Sequence, residues 1–167
     1  MNININSAVY YSPLGTIVIE SEGETLTRLR FADREIQSGK VLTGRMQVQE
    51  SEDFLIATTH QWLEDYFAGK QPRKVPRLNP KGTDFQQKVW QVLFTINYGQ
   101  TMTYGEIAKM VGCKSAQAVG QAIGKNPIVL IIPCHRVVCV HGTLGGYAFG
   151  KERKMRLLQM EKTTDCH

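Results

Sequence analysis

TYGEIAKMVGCKSAQAVGQAIG, residues 103–124, decides how this chain is read. Thr103 with Glu106 three positions on has the spacing of a capping box, in which each side chain satisfies a backbone N–H near the other. The spacing predicts a short helix through Ile107, Ala108 and Val111, ended by Gly112, since glycine accepts the left-handed conformation that closes many helices. After Cys113-Lys114, Ser115 is a second N-cap, opening a helix that runs to about Lys125. Two short helices joined by a tight glycine-containing turn read as a helix-turn-helix.

The surrounding pattern is helical as well. Thr83 and Gln86 repeat the capping-box spacing, and Phe85, Val89, Leu93 and Ile96 mark a buried face before Asn97-Tyr98-Gly99 closes the element. Lys151 to Glu161 reads as a last helix, with Glu152 and Arg156 at salt-bridge spacing. The first third alternates like a sheet instead. Ala8 to Ser12, Thr16 to Glu20 and Leu26 to Phe31 are short β-type runs, with turns at Pro13-Leu14-Gly15 and Glu22-Gly23-Glu24. Residues 32–50 are polar and weakly periodic and read as a loop or a poorly packed strand region. Glu52 to Phe67 turns helical, with Phe54, Thr58, Trp62 and Tyr66 on one stripe, best read as a core stripe covering the small sheet, and Gly69 at its end. Pro72, Pro76 and Pro80, interleaved with Lys70, Arg73, Lys74, Arg77 and Lys81, make a semi-rigid basic linker. The expected organisation is an α/β N-terminal domain over 1–75, a linker over 76–84 and a mainly helical domain over 85–167.

Composition sets the outer limits. The chain has 167 residues, 42% hydrophobic and 21% charged, enough for a real core in one domain or two small ones. No stretch has transmembrane length, and Met1 to Asn6 lacks the regions of a signal peptide, so an intracellular, cytoplasmic protein is expected. A net charge of +5 is compatible with a nucleic-acid partner without requiring one. Cysteines 113, 134, 139 and 166 and histidines 60, 135, 141 and 167 show no metal-ligand spacing, so neither a metal nor a disulfide is expected.

The chemistry concentrates in Ile132-Pro133-Cys134-His135-Arg136-Val137-Val138. The apolar run from Ile128 to Ile132 reads as a buried strand, stopped by a proline that cannot donate to a ladder. Cys134 then opens into a pocket beside an imidazole and a guanidinium, groups that favour a thiolate. His141-Gly142 is a plausible hairpin turn, returning the chain to Gly145-Gly146-Tyr147-Ala148. Arg136 reads as structural, pairing with a buried acid or a carbonyl.

Pro133-Cys134-His135-Arg136-Val137 resembles the active-site signature of the O6-alkylguanine-DNA alkyltransferases. Further pieces match in order: Phe85 to Trp90, Thr103-Tyr104, Asn126-Pro127, Gly146-Tyr147, and Leu157-Leu158 to Glu161. The resemblance implies a small ribonuclease-H-like α/β domain before a mainly helical domain with a helix-turn-helix. It implies one irreversible transfer of an alkyl group from O6 of guanine to Cys134, after the base is flipped from the stack, by a monomer without cofactor. His135 would be the base, acting through a bound water, with Glu161 orienting it. Asn126 would hold the turn around the site, and Tyr104 would donate to the base ring. Val137, Tyr147, Ala148 and Phe149 would contact the base, with Phe149 standing where the family usually has glycine and narrowing the pocket against bulky adducts.

The helix from Ser115 offers base edges only two glutamines, so sequence-specific major-groove readout is not expected. Its small residues suit close approach to a narrow groove, and equally suit an internally packed helix. The resemblance selects the first reading, with Ser115, Ala116, Gln117, Ala118, Gly120, Gln121 and Lys125 in the minor groove of double-stranded DNA carrying O6-alkylguanine. Gln117 stands where the family typically has an arginine finger, and it stacks less well in the vacated space. Less efficient capture of duplex lesions is therefore expected. Two alternatives remain at this point: a non-catalytic alkyltransferase-like protein that binds alkylated DNA and recruits other repair factors, and a cysteine hydrolase using Cys134 and His135.

Overall fold

The computed structural model describes residues 5–32, 46–47 and 53–164. The chain divides into two compact units, Met1–Pro80 and Lys81–His167. The first is α/β. Strands β1 (Ile5–Ser12), β2 (Gly15–Glu22), β3 (Thr25–Phe31) and β4 (Met46–Gln47) form one sheet in the order β3-β2-β1-β4. β1 to β3 are an antiparallel meander with two-residue connections, set by the pairs Ser12↔Gly15 and Glu22↔Thr25, and β4 runs parallel to β1. Alternation works as the sequence predicts: Ala8, Tyr10, Ile17, Ile19, Leu29 and Phe31 point to one buried face. Most of the 32–50 stretch lies outside the described residues.

Helix α1 (Phe54–Phe67) starts at Asp53, whose carboxylate accepts from the N–H groups of Leu55 and Ile56. The same carboxylate accepts from Asn6 Nδ2 at 2.6 Å, so the cap also ties the helix to β1. The buried face is Leu55, Ile56, Thr59, Trp62, Leu63 and Tyr66. This corrects the expected stripe, since Phe54 is 74% exposed and Thr58 half-buried. Leu55, Ile56 and Leu63 outweigh the aromatic at position 54 and rotate the helix by about one residue. Beyond α1, the segment read as a linker is partly fixed: Leu26 N donates to Arg77 O and Asn79 N donates to Leu26 O, both at 2.8 Å, beside the edge of β3.

The second unit is helical. α2 (Asp84–Phe94) and α3 (Tyr104–Val111) begin with the two complete capping boxes, at Thr83/Gln86 and Thr103/Glu106. α2 buries Val89, Trp90 and Leu93, while Phe85 is half-buried. Trp90 donates from Nε1 to Ala122 O at 2.9 Å, so the ring joins α2 to α4 (Ala116–Gly124) through a bond as well as through area. Gly112 ends α3 at φ 69°, a conformation that costs a side-chain-bearing residue more. Ser115 caps α4, and α3, the turn and α4 form the expected helix-turn-helix.

The chain then departs from expectation. Ile128 to Ile132 is no strand but a compact series of turns, every residue at or below 5% exposure. Local bonds take the backbone groups a ladder would need: Ile131 N donates to Val129 O at 2.9 Å, Ile132 N to Ile128 O at 3.0 Å and Cys134 N to Ile132 O at 2.8 Å. Asn126 clamps the loop from both ends, donating to Ile132 O at 2.7 Å and accepting from Ile128 N at 3.0 Å. Leu130 sits at φ 71°, strain that this closure holds in place. A short 3₁₀ turn (Cys134–Arg136) leads into β6 (Val137–Val138), which pairs in parallel with β5 (Met102–Thr103). His141 at φ 70° and Gly142 at φ 78° make the predicted turn, closed by Cys139 N to Thr143 O at 2.8 Å. The last helix, α5 (Lys151–Thr164), carries the Glu152–Arg156 pair at 3.1 Å.

Thr103 both caps α3 and starts the helix at Tyr104. Thr103→Ala should cost about 1 kcal/mol, seen as a fall in melting temperature of roughly 2–4 °C.

Candidate active site

A cavity of about 200 Å³ opens in the second unit, lined by Tyr104, Gly120, Ile123, Gly124, Asn126, Val129, Cys134, Gly146, Tyr147, Ala148 and Phe149. It lies below the roughly 300–1,000 Å³ usual for drug-sized ligands. One planar ring system suits it better. Four segments meet there: the start of α3, one flank of α4, the clamped loop, and the glycine-rich return after the 140s turn. Cys134, Tyr104, Asn126, Tyr147, Ala148, Phe149 and Gly120 all reach its wall. Val137 is not among the lining residues: it is fully buried and paired with Met102 on β5.

Cys134 is 5% exposed. Burial pushes its thiol up, while the Asn126 side chain, backbone N–H groups and the Lys154 ammonium pull the other way without prevailing. The expectation that the neighbours favour a resting thiolate is thus corrected. Loss of water from around the sulfur outweighs the nearby donors and positive charge, and the proton is best removed as the sulfur reacts.

Behind Cys134 lies a buried polar cluster. His135 and Glu161 are at 0% and 1% exposure, with His135 Nε2 2.7 Å from Glu161 Oε1. Arg136 grips the same carboxylate with two bonds of 2.9 Å, Nε to Oε2 and Nη2 to Oε1, and donates from Nη1 to Ile96 O at 2.8 Å. Arg136 therefore pairs with a buried acid and a carbonyl together. Gly99 N adds a donor to Glu161 Oε2 at 3.4 Å. Burial alone would raise the Glu161 carboxyl, but the hydrogen bond of His135 and its charge once protonated in acid, with the hydrogen bonds and charge of Arg136, more than reverse that and hold it at about 2, against 4.5 ordinarily. An ionised carboxylate only accepts, so His135 Nε2 carries the hydrogen. Burial in turn lowers the imidazole below its ordinary 6.5, against the pull of Glu161. The ring is then neutral at pH 7, with its basic lone pair on Nδ1.

Sequence reading missed Lys154. It is 1% exposed, donates from Nζ to Gly146 O at 3.0 Å and lies 5.9 Å from the Tyr104 ring centroid. Tyr104 Oη reaches the same carbonyl at 3.4 Å. The signal was available, because Lys154, Leu157 and Glu161 fall at i, i+3 and i+7 on one helix face, and all are buried. The Tyr147 hydroxyl is buried among the pocket residues with no hydrogen-bond partner among the described residues, and burial raises it well above its ordinary range.

On α4, Ser115, Ala116, Gln117, Gln121 and Lys125 are exposed, whereas Val119, Ala122 and Ile123 are buried. Ala118, Gln121 and Lys125 line a shallow depression with Thr83, Phe85 and Gln86. The small-residue face is therefore a surface and not an internal seam. Among the described residues no group of three or more His, Cys, Asp or Glu could hold a metal, and no helix is long and apolar enough to cross a membrane.

Residues 84–163 match the family model described as 6-O-methylguanine DNA methyltransferase, DNA binding domain, and residues 5–75 match its ribonuclease-like domain. A methylated-DNA–protein-cysteine methyltransferase of Mycobacterium leprae is 42% identical over 152 residues, covering 90% of this chain and 88% of that protein. The constitutive methylated-DNA–protein-cysteine methyltransferase of Bacillus subtilis is 39% identical over 153 residues, with 90% and 92% covered. Among solved structures, Mycobacterium tuberculosis OGT in complex with DNA aligns with TM-score 0.81 at 39% identity, covering 95% and 94% of the two chains. An O6-methylguanine DNA methyltransferase from Methanococcus jannaschii aligns with TM-score 0.68 at 31% identity, covering 92% of each.

The buried cluster predicts a pH profile of stability. Glu161 titrates near 4.5 when unfolded and about 2 when folded, so its stabilisation is complete above pH 4.5 and lost as pH falls toward 2. His135, held below 6.5, acts in the same sense, because the unfolded imidazole takes a proton that the folded one refuses. Thermal melting should be flat above neutrality, decline gently below pH 6.5 and fall most steeply between 4.5 and 2. The Glu161 part amounts to about 3 kcal/mol, and Glu161→Gln should flatten that limb.

Proposed function

The chain belongs to the 6-O-methylguanine DNA methyltransferase family, and from that premise we propose that it repairs DNA directly, moving an alkyl group from O6 of guanine to Cys134. The observation that carries this reading is one thiol on the wall of a ring-sized cavity, backed by an ionised Glu161 and a neutral His135. The sulfur attacks the alkyl carbon in line. An S–C bond forms as the C–O6 bond breaks, and its electron pair leaves on the guanine. The thiol proton passes toward His135 Nδ1 through a water, which suits a thiol kept neutral by burial until the moment of attack. Tyr104 donates a hydrogen bond to the departing ring and relieves its charge until the guanine takes up a proton, with Lys154 fixing the tyrosine and the Gly146 carbonyl beside it. The product is a thioether, which water does not readily cleave, so each molecule reacts once.

Binding follows from the same residues. The face carrying the exposed Ser115, Ala116, Gln117, Gln121 and Lys125 and the half-buried Ala118 and Gly120 lies in the minor groove of double-stranded DNA, and affinity comes mainly from phosphate contacts. The alkylated base leaves the stack for the cavity, at a cost of a few kcal/mol, and Gln117 fills its place. Asn126 holds the loop that presents Cys134, while Tyr147, Ala148 and Phe149 close over the base. Tyr147 and Phe149 meet edge to face at 5.8 Å, a stiff wall that favours methyl over bulkier groups. One chain holds the whole site, so a monomer suffices, and it works inside the cell where DNA is. No metal or cofactor takes part in the reading.

Intact mass after mixing with a duplex carrying one O6-methylguanine tests this directly. Wild-type protein should gain a single methyl mass, once, and Cys134→Ala none. Selective retention of the lesion duplex without a mass gain would instead mean a damage-binding protein with a silent thiol, and repeated turnover on an ester would mean a hydrolase.

A further inference from the structure

The first unit carries a surface that alkyl transfer does not use. Residues 68–80, AGKQPRKVPRLNP, contain Lys70, Arg73, Lys74 and Arg77 with no carboxylate among them. All four cations are exposed. The backbone beneath them is neither helix nor continuous strand, yet it is fixed. Lys70 N donates to Asp65 O at 2.9 Å, the bonds between Leu26 and Arg77 and Asn79 anchor the other end, and Pro72 and Pro76 stiffen the span between.

Beside this strip opens a groove of about 430 Å³, whose wall includes Glu24, Phe54, Thr58, Lys74, Val75 and Arg77. Phe54 is 74% exposed and Val75 41%, and Lys74 Nζ lies 5.1 Å from the Phe54 ring centroid. The acids nearby are engaged: Glu24 faces Arg77 at 3.7 Å, and the Asp53 carboxylate caps α1 and holds Asn6. Cations along a pre-fixed backbone, next to an exposed aromatic ring with the Lys74 ammonium over one face, combine the two features that track a single nucleic-acid strand. One is a positive path for phosphates and the other a platform for a base.

We propose that this face of the first unit binds single-stranded DNA, with phosphates along Lys70, Arg73 and Lys74 and an unstacked base on Phe54. The inference takes DNA as the partner, as the preceding reading does, but not the chemistry at Cys134. The test uses the full chain and fluorescein-labelled dT16, with anisotropy followed over a range of salt. The triple variant Lys70→Gln/Arg73→Gln/Lys74→Gln should weaken binding roughly tenfold at low salt and lower the log–log salt slope by about 2, at about 0.7 per phosphate contact. Phe54→Ser should weaken binding by roughly fivefold or more and leave the slope unchanged. Wild-type affinity and slope in both variants would overturn the proposal, and an effect of the triple variant alone would overturn the stacking part. Dimerisation without oligonucleotide that is lost on Phe54→Ser would reassign the groove to a second copy of the chain. Methyl transfer from a saturating blunt duplex should be unchanged in both variants. Its absence in the wild type would count against the reaction at Cys134 while leaving the dT16 result to judge this surface.

Discussion

Everything at the thiol site hangs on the ionised carboxylate of Glu161. It is buried, and alone it would be costly, since the penalty of removing a charge from water is several kcal/mol even after relaxation. His135, Arg136 and the Gly99 N–H repay that cost by surrounding both oxygens with donors. Because those donors come from the turn holding Cys134 and from the connection after α2, while Glu161 belongs to α5, one side chain fastens three separated segments. The same contact fixes which nitrogen of His135 carries the hydrogen, and so which one is basic.

A second layer sets the cavity's shape. Asn126 closes the loop before Cys134 with two bonds and keeps Leu130 in a backbone conformation that a bulky residue otherwise avoids. Lys154 does similar work from α5, holding the Gly146 carbonyl that Tyr104 also reaches. Gly145 shows how close the packing is: a Cβ there would stand 3.0 Å from Cys139 Sγ and 3.2 Å from Tyr104 Cε2. A side chain at 145 would press on the tyrosine that the cavity needs.

Local signals were the legible ones. Both capping boxes, the Ser115 cap, the Gly112 stop and the positive φ at His141-Gly142 depend on a few neighbouring residues, and sequence carries that information directly. The Cys134, His135 and Glu161 grouping was legible through a resemblance in motif order, not through spacing. What was lost needed tertiary context. An apolar run such as Ile128 to Ile132 says only that the segment is buried, and a clamped coil buries it as well as a strand does. Phe54 lies off the buried face because Leu55, Ile56 and Leu63 together set which side of the helix meets the sheet, and a single aromatic residue does not override them. Lys154 was passed over because lysine is usually solvated, and Cys134 was expected to be a thiolate because neighbouring charges are visible in sequence and desolvation is not.

The central claim is that Glu161 makes a neutral His135 the base for a buried thiol. The single-turnover rate of methyl transfer as a function of pH, in wild type and Glu161→Gln, tests it most directly. The wild-type rate should be level at neutral pH and fall only below 6.5, as His135 gains its proton. A properly folded Glu161→Gln protein should be slower by on the order of 100-fold at neutral pH. An unchanged rate and profile in that variant would contradict the account, leaving Glu161 a purely structural anchor.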